Sequence, residues 1–229
     1  MTAFVLGATG FVGREVVRQL CVRGATVVAH VRPDSAKLAD WRATFAEQGA
    51  AIDTTPWNVD ALAATWRAQP PAQIYILIGT TRSKAKTDHV EGNIYEQVDY
   101  GLTKLAVDAA KQVETKPRIV YLSSVGANPT AGSAYLAWRG KAETVVRESG
   151  LPWVIARPSI ITGDREDGRL GEKSAAVIGD GLLAVAGVLG GRGLRAKYKS
   201  TTPDILASSL IRIGEAAETD RVVDGADLR

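Results

Sequence analysis

The chain has 229 residues, of which 45% are hydrophobic and 23% are charged, and its net charge is +3. This composition is typical of a globular protein, and two histidines with one cysteine argue against a disulfide framework, a His/Cys metal site and Ser-His-Asp or Cys-His catalysis. The Lys and Arg residues are scattered rather than clustered, which gives little support for nucleic-acid binding.

No segment of the sequence has the pattern of a secretion signal or a membrane span. Met1 is followed at once by a strand pattern, and the longest apolar stretch, residues 182–189, is too short to cross a bilayer. We therefore expect a cytoplasmic protein that has no membrane partner.

Short β-branched runs alternate with helical segments along most of the chain. The runs are apolar throughout, which is typical of strands buried on both faces of a parallel sheet. They cover residues 3–6, 27–31, 50–54 (the weakest), 74–78, 119–122 and 153–156, with helices predicted over 13–23, 35–48, 60–68, 94–113 and 135–149. Alternation of this kind predicts right-handed βαβ units and therefore an α/β fold with a doubly wound parallel sheet, the Rossmann fold.

The alternation stops after Pro158. A polar segment follows, then a glycine-rich apolar stretch, and Thr202-Pro203-Asp204 has the pattern that opens a last helix. Ligands of doubly wound sheets bind outside the carboxyl ends of the strands. We therefore predict a single domain over residues 1–229, in which residues 159–229 form a small irregular part on the substrate side.

The first predicted strand runs directly into a glycine-rich turn that opens a helix. In this context Gly7 supplies the tight turn, Gly10 lets the backbone approach a pyrophosphate, and Gly13 lets the helix pack closely on the strand. A plain turn that merely tolerates glycine is the weaker interpretation, because a strand precedes this turn and a helix follows it. The predicted phosphate-binding residues are Gly7, Thr9, Gly10, Phe11, Val12 and Gly13.

The residue that follows the second strand indicates which dinucleotide is bound. Binders of NAD usually place an acid here to hold the ribose 2′-hydroxyl, whereas this strand ends in Arg32. A guanidinium can clamp a 2′-phosphate, and Asp34 is better explained as a helix cap. The alternative for Arg32 is a solvated surface residue. NADP(H) is the predicted cofactor.

Several blocks of the sequence resemble the extended and atypical short-chain dehydrogenases/reductases, and more narrowly the oxidoreductases similar to the Tat-interacting protein. The blocks keep their order and spacing from residue 3 to about residue 170. Beside the Gly-x-x-Gly-x-x-Gly turn they are Gly79-Thr80-Thr81-Arg82, Leu122-Ser123-Ser124-Val125-Gly126-Ala127, Tyr135-Leu136 with Gly140 soon after, and Arg157-Pro158 followed by Gly163-Asp164-Arg165. The resemblance implies an NADP(H)-binding Rossmann-type domain.

The resemblance also implies further cofactor contacts. It places Asn58 and Val59 beside the adenine, and Pro158 and Ser159 near the nicotinamide. The residues implied along the ribose and pyrophosphate are Gly79, Thr80, Thr81 and Arg82. For the two threonines a helix cap or turn is the structural alternative.

The catalytic device that the resemblance implies is a serine with a Tyr-x-x-x-Lys pair. Tyr135 is the candidate acid/base, and Ser123 and Ser124 both fit the serine. Residues four apart share a helix face, but the residue four after Tyr135 is Arg139, which keeps the charge of a lysine and cannot release a proton. Core packing is the alternative role for Tyr135.

Two functions of different class follow. The first is an NADPH-dependent oxidoreductase that transfers a hydride to a small carbonyl or quinone-like substrate. The second is a non-catalytic NADP(H)-sensing protein that acts through a protein partner or a homo-oligomer, which Arg139 favours. A nucleic-acid binder has only the mild basicity in its support.

Overall fold

The computed structural model of the protein describes residues 1–79, 92–159, 161, 201–225 and 227–228. Within these residues the strands form one sheet, in which every neighbouring pair is parallel. The strands are β1 (Thr2–Leu6), β2 (Thr26–His30), β3 (Ala51–Asp53), β4 (Gln73–Ile76), β5 (Arg118–Leu122), β6 (Trp153–Arg157) and β7 (Arg221–Asp224). Their order across the sheet is β3-β2-β1-β4-β5-β6-β7.

The helices fall between the strands as the sequence predicts. They are α1 (Phe11–Val22), α2 (Leu38–Glu47), α3 (Val59–Ala68), α4 (Leu102–Ala110), α5 (Ala134–Arg147) and α6 (Pro203–Glu215). Gly24 and Gly150 follow α1 and α5 with φ of +76° and +73°, a conformation that suits glycine at a helix end. The α/β doubly wound prediction is therefore confirmed.

Two features differ from the prediction. The helix predicted over residues 94–113 begins as a π-helical segment, Tyr95–Gly101, and becomes α-helical only at Leu102. The edge strand β7 is missed by the sequence pattern, because it is short and only Val223 in it is buried. Edge strands need less apolar sequence, since they pack against fewer neighbours.

The sheet buries a separate core on each face. Tyr75 lies on the side of α1 and α6, where alternate strand residues meet Val16 and Leu210. The next residues along the same strands, such as Ile74 and Ile76, face the other core beneath α3, α4 and α5. Side chains of successive strand residues point to opposite faces, so continuously apolar strands are what this architecture requires.

The strand order reverses direction between β1 and β4. The chain moves outward from β1 through β2 to β3, then returns to the other side of β1 with β4. Such a switch point leaves a crevice at the carboxyl ends of the strands, which is where ligands bind in this class of sheet. The glycine-rich turn follows β1 and Gly79 follows β4, so both lie at this crevice.

Much of the predicted substrate side lies outside the described residues. Helix α6 begins with Pro203 at its first turn and Thr202 as its N-cap, and it packs against α1. Residues 162–200 are not described. Among the described helices, none has the length and apolar character needed to span a bilayer.

Candidate functional site

The glycine-rich turn joins β1 to α1 and packs closely on its neighbours. Gly7 has a φ of +81°, and a Cβ atom there would lie 2.7 Å from the carbonyl oxygen of Leu77. A Cβ at Gly13 would overlap the Gly7 carbonyl oxygen. The fold itself therefore requires these two glycines.

Gly10 differs from both of them. Its φ of −75° is one that any residue adopts, and a Cβ there would contact only the Gly7 carbonyl oxygen, at 3.1 Å. Gly10 is also the N-cap of α1 and has no side chain to satisfy the first N–H groups of that helix. The turn thus presents unscreened N–H donors and open space at the positive end of a helix, which fits a pyrophosphate.

Arg32 lies just beyond the end of β2 with about half of its side chain exposed. Its Nε atom is 3.8 Å from Asp34, a weak contact between two solvated groups. Before it, His30 is buried and its Nε2 atom contacts the Thr55 carbonyl oxygen at 2.8 Å, beside Asp53. Burial lowers the pKa of His30, so Arg32 rather than this imidazole supplies a positive charge at the strand end near neutral pH.

Asn58 caps α3 rather than standing free after β3. Its Oδ1 atom accepts a hydrogen bond of 3.0 Å from the Ala61 amide, and Val59 is the first residue of the helix. A cap leaves the Asn58 amide nitrogen able to donate to a ligand. The predicted adenine contact therefore stays a prediction.

Gly79 follows β4 and is packed against Arg139. A Cβ atom at Gly79 would overlap the Nη2 atom of the guanidinium. The other predicted residues of this loop, Thr80, Thr81 and Arg82, lie outside the described residues. Gly79 is thus explained by a contact within the protein, whatever cofactor contact it also makes.

Arg139 is buried between the carboxyl ends of β4 and β5. Its Nη1 atom donates to the Leu122 carbonyl oxygen at 2.5 Å, and its Nη2 atom donates to the Ile78 carbonyl oxygen at 3.1 Å. Nη2 also lies 2.8 Å from the buried carboxylate of Asp99, in the π-helical segment. Burial opposes the charge of Arg139, but the nearby Tyr121 and Asp99 outweigh it and raise its pKa. The guanidinium is therefore a permanent cation held by groups of the protein.

Tyr135 lies in the first turn of α5, one turn before Arg139. Its ring packs edge-on against Tyr95 at 5.5 Å, and the Arg139 guanidinium lies 5.6 Å from its ring centroid. The Tyr135 hydroxyl has no hydrogen-bond partner among the residues that the structure describes. It is therefore able to donate to a ligand.

The structure distinguishes the two serines that the sequence leaves open. The Ser123 hydroxyl donates at 2.6 Å to the fully buried carboxylate of Glu143. Among the residues that the structure describes, the Ser124 hydroxyl has one weak contact, at 3.3 Å, with the Val125 carbonyl oxygen. Ser124 is thus the more available of the two for a ligand.

Glu143 is the functional candidate that sequence reasoning misses. It lies on the same face of α5 as Tyr135 and Arg139, and Arg157 donates to its two oxygens at 2.8 and 2.6 Å. The eight-residue spacing from Tyr135 is a signal that a helix-face argument could have used. Arg157 ends β6 and precedes the predicted nicotinamide contacts Pro158 and Ser159.

Across residues 1–79, 92–159 and the described C-terminal residues, no three His, Cys, Asp or Glu side chains are grouped as metal ligands.

The glycine turn, the switch-point crevice and the sheet order together define a protein that binds a dinucleotide. The family model described as NAD(P)H-binding matches residues 7–182, and the chain therefore belongs to this family. The resemblance noted in the sequence is confirmed at this level.

Within this family the chain is similar to the fungal FMP52 proteins. It is 29% identical over 189 residues to protein FMP52 of Candida albicans, which covers 79% of this chain and 76% of that protein. It is 30% identical to FMP52-1 of Scheffersomyces stipitis, over 72% of this chain and 70% of that protein. Both relatives are named mitochondrial, so the prediction of a cytoplasmic protein is wrong. That prediction rested on the lack of a secretion-signal pattern and on an apolar stretch too short to cross a bilayer, and neither feature reports whether a protein is mitochondrial.

Solved structures agree on the fold. An anaerobillin reductase from Escherichia coli O157:H7 superposes with a TM-score of 0.66 at 18% identity, covering 98% of this chain and 96% of its own. At this identity the likeness shows the fold alone.

Proposed function

We propose that the chain is an NADPH-dependent oxidoreductase that reduces a small carbonyl or quinone-like substrate. The observation that carries this proposal is the Tyr135 hydroxyl, which has no hydrogen-bond partner among the described residues and lies on the turn of α5 next to the loop that bears Ser124. The loop after β5 reaches the same turn of α5, because the Asn128 amide donates to the Leu136 carbonyl oxygen at 3.2 Å. This backbone bond joins the loop that bears Ser124 to the first turn of α5, which bears Tyr135.

The residues present fit the cofactor at two places. Gly10 leaves space and free N–H groups for the pyrophosphate, and Arg32 offers a cation to a 2′-phosphate. When bound, NADPH would supply the hydride that reduces the substrate carbon. The preference for NADPH over NADH rests on Arg32.

Two side chains of the protein would orient and protonate the substrate oxygen. The Ser124 hydroxyl donates a hydrogen bond that orients it, and Tyr135 gives it a proton as the hydride arrives at the carbon. Arg139 cannot replace that proton, because a guanidinium does not deprotonate in proteins. The Tyr135 proton is therefore recovered from solvent in this scheme.

Steady consumption of NADPH with a panel of aldehydes, ketones and quinones tests the proposal. We expect turnover with at least one class and its loss in Tyr135→Phe. Tight NADPH binding without turnover for any of them would contradict it. The names of the FMP52 relatives further suggest mitochondria as the place of this activity.

A second candidate function is favoured by the contacts of Arg139. Its two Nη atoms bind the protein, so the position that would hold a proton-relaying lysine holds a structural cation. This arrangement suits a protein that senses NADP(H) and signals through a protein partner or a second copy. A change in oligomeric state on NADPH addition, measured by light scattering with no turnover, would favour it.

A further inference from the structure

We infer that Glu143 is a positioning residue that holds the β5 loop, the β6 end and helix α5 in register, and the inference rests on the proposed function. The Glu143 cluster is defined as Glu143, Ser123, Arg147 and Arg157. Each of the three elements that it joins carries a proposed part of the site.

The position of Glu143 on α5 makes this connection direct. Tyr135, Arg139 and Glu143 are four residues apart in turn, so they lie along one face of the helix. The Glu143 side chain is 1% exposed. A shift or rotation of α5 that moved Tyr135 would therefore pull Glu143 away from its partners.

The contact with the β5 loop fixes the serine segment. The Ser123 hydroxyl donates to Oε1 of Glu143 at 2.6 Å, and the Ser123 amide donates to the Ala156 carbonyl oxygen at 2.8 Å. Ser124 is the next residue, so its place depends on both bonds. The carboxylate thereby links the proposed substrate-orienting hydroxyl to the helix of the proposed acid.

Arg157, at the end of β6, connects Glu143 to the far side of the β5 loop. Arg157 donates from Nε and Nη2 to the two oxygens of Glu143, and its Nη2 atom also reaches the Ala127 carbonyl oxygen at 3.3 Å. The Val125 amide donates to the Pro158 carbonyl oxygen at 3.0 Å. The loop that bears Ser124 is thus held at its start by Ser123 and at its far side by Arg157.

A purely stabilising role would not need a charge at this position. A buried carboxylate loses hydration, and apolar replacements of buried ion pairs are often as stable. The directional bonds of a carboxylate instead fix where its partners lie. Arg147, which is one-third exposed, donates to Oε2 from the outer side at 2.7 Å and completes the set of donors.

The test compares the parent chain with the Glu143→Gln variant. Glu148→Gln is the matched control, because Glu148 is exposed at the end of the same helix. We expect kcat to fall by about 10²-fold in Glu143→Gln while NADPH affinity stays within about twofold, because misplacement of reacting groups is costly and the glycine turn is untouched. Ser124→Ala should cost much less in the Glu143→Gln background than in the parent. Additive losses, or an unchanged kcat, would overturn the inference.

Hydrogen exchange keeps the test independent of turnover. Amides of residues 123–127 should exchange faster in Glu143→Gln, while those of β1 and β2 keep their rates. Unchanged exchange in residues 123–127 would overturn the inference. An inactive parent with faster exchange there would contradict the proposed function and support the positioning role.

A second variant applies if Glu143→Gln does not fold. Ser123→Ala removes one bond to the carboxylate and leaves no charge unpaired, and we expect a kcat loss of about tenfold with the same local increase in exchange. Unchanged kcat and exchange in this variant would overturn the inference.

Discussion

The Nη2 atom of Arg139 lies 2.8 Å from Oδ1 of Asp99, and both side chains are almost completely excluded from solvent. The two residues come from α5 and from the π-helical segment. Arg139 also donates to the carbonyl oxygens of Ile78, two residues after β4, and of Leu122, the last residue of β5. The pair therefore ties two helical elements to the strand ends that flank the crevice.

Loss of one member of this pair should destabilise the fold. We expect Asp99→Asn to lower the free energy of unfolding by about 3–5 kcal/mol, because it leaves a buried charge without its counter-ion. Arg139→Lys should also lower it, since one ammonium cannot reach two carbonyls and a carboxylate together, and it should not raise turnover. Urea denaturation followed by circular dichroism measures both. An Asp99→Asn variant as stable as the parent would show that the pair contributes no stability.

Substitutions of Gly10 and Gly13 should separate cofactor binding from folding. Gly10→Val should abolish NADPH binding and leave the fold largely intact, because the added side chain meets one carbonyl of the protein and fills the pyrophosphate space. Gly13→Val should not fold, because its Cβ overlaps the backbone of the turn. Circular dichroism and nicotinamide fluorescence report the two effects. Normal NADPH binding by folded Gly10→Val would place the phosphate site elsewhere.

Arg32 should set the preference for the phosphorylated cofactor. A charge-assisted contact contributes roughly 1.5–3 kcal/mol, so NADPH should bind about ten- to a hundredfold more tightly than NADH. Arg32→Ala should remove the preference by weakening NADPH alone. Arg67→Ala is the control, because that guanidinium lies on α3 and bonds Gln112, two residues after the end of α4. Equal affinities of the parent for the two cofactors would contradict this role.

Tyr135 should donate the proton that the substrate oxygen receives. Tyr135→Phe removes the hydroxyl and keeps the ring against Tyr95, so we expect turnover to fall by about 10²–10⁴-fold with little change in NADPH affinity. Tyr100→Phe, in the π-helical segment, is the matched control. Stopped-flow and equilibrium fluorescence separate the two quantities. If the parent is active and Tyr135→Phe has the same turnover, another residue must be the acid.

His30 should make stability fall in mild acid. Burial lowers its pKa in the folded protein, so the unfolded chain binds the proton first as the pH drops below about 6.5. The unfolded state then holds more protons than the folded state, and stability rises with pH in this window. His30→Gln should flatten the dependence between about pH 5 and 7. Urea midpoints across this range measure it, and an unchanged slope would exclude His30 as its source.

The sequence by itself determined the doubly wound parallel sheet and the glycine turn. Those features are local: a continuously apolar run predicts a buried strand, and a glycine triplet between a strand and a helix is typical of a phosphate-binding turn. It also placed Tyr135 and Arg32 at the correct ends of their elements. The sequence did not predict the short edge strand β7 or the compartment, since neither depends on a strong local pattern of residues.

Only the tertiary structure decided what the polar groups of the site do. Ser123 and Ser124 are equivalent in sequence, and the difference between them arises because Glu143, twenty residues away, meets one hydroxyl and not the other. In the same way, the sequence presents Arg139 as a replacement for a catalytic lysine. The structure shows that its guanidinium instead binds Asp99 and the carbonyl oxygens of Ile78 and Leu122. Burial and partner choice are properties of segments brought together by folding, and no local pattern encodes them.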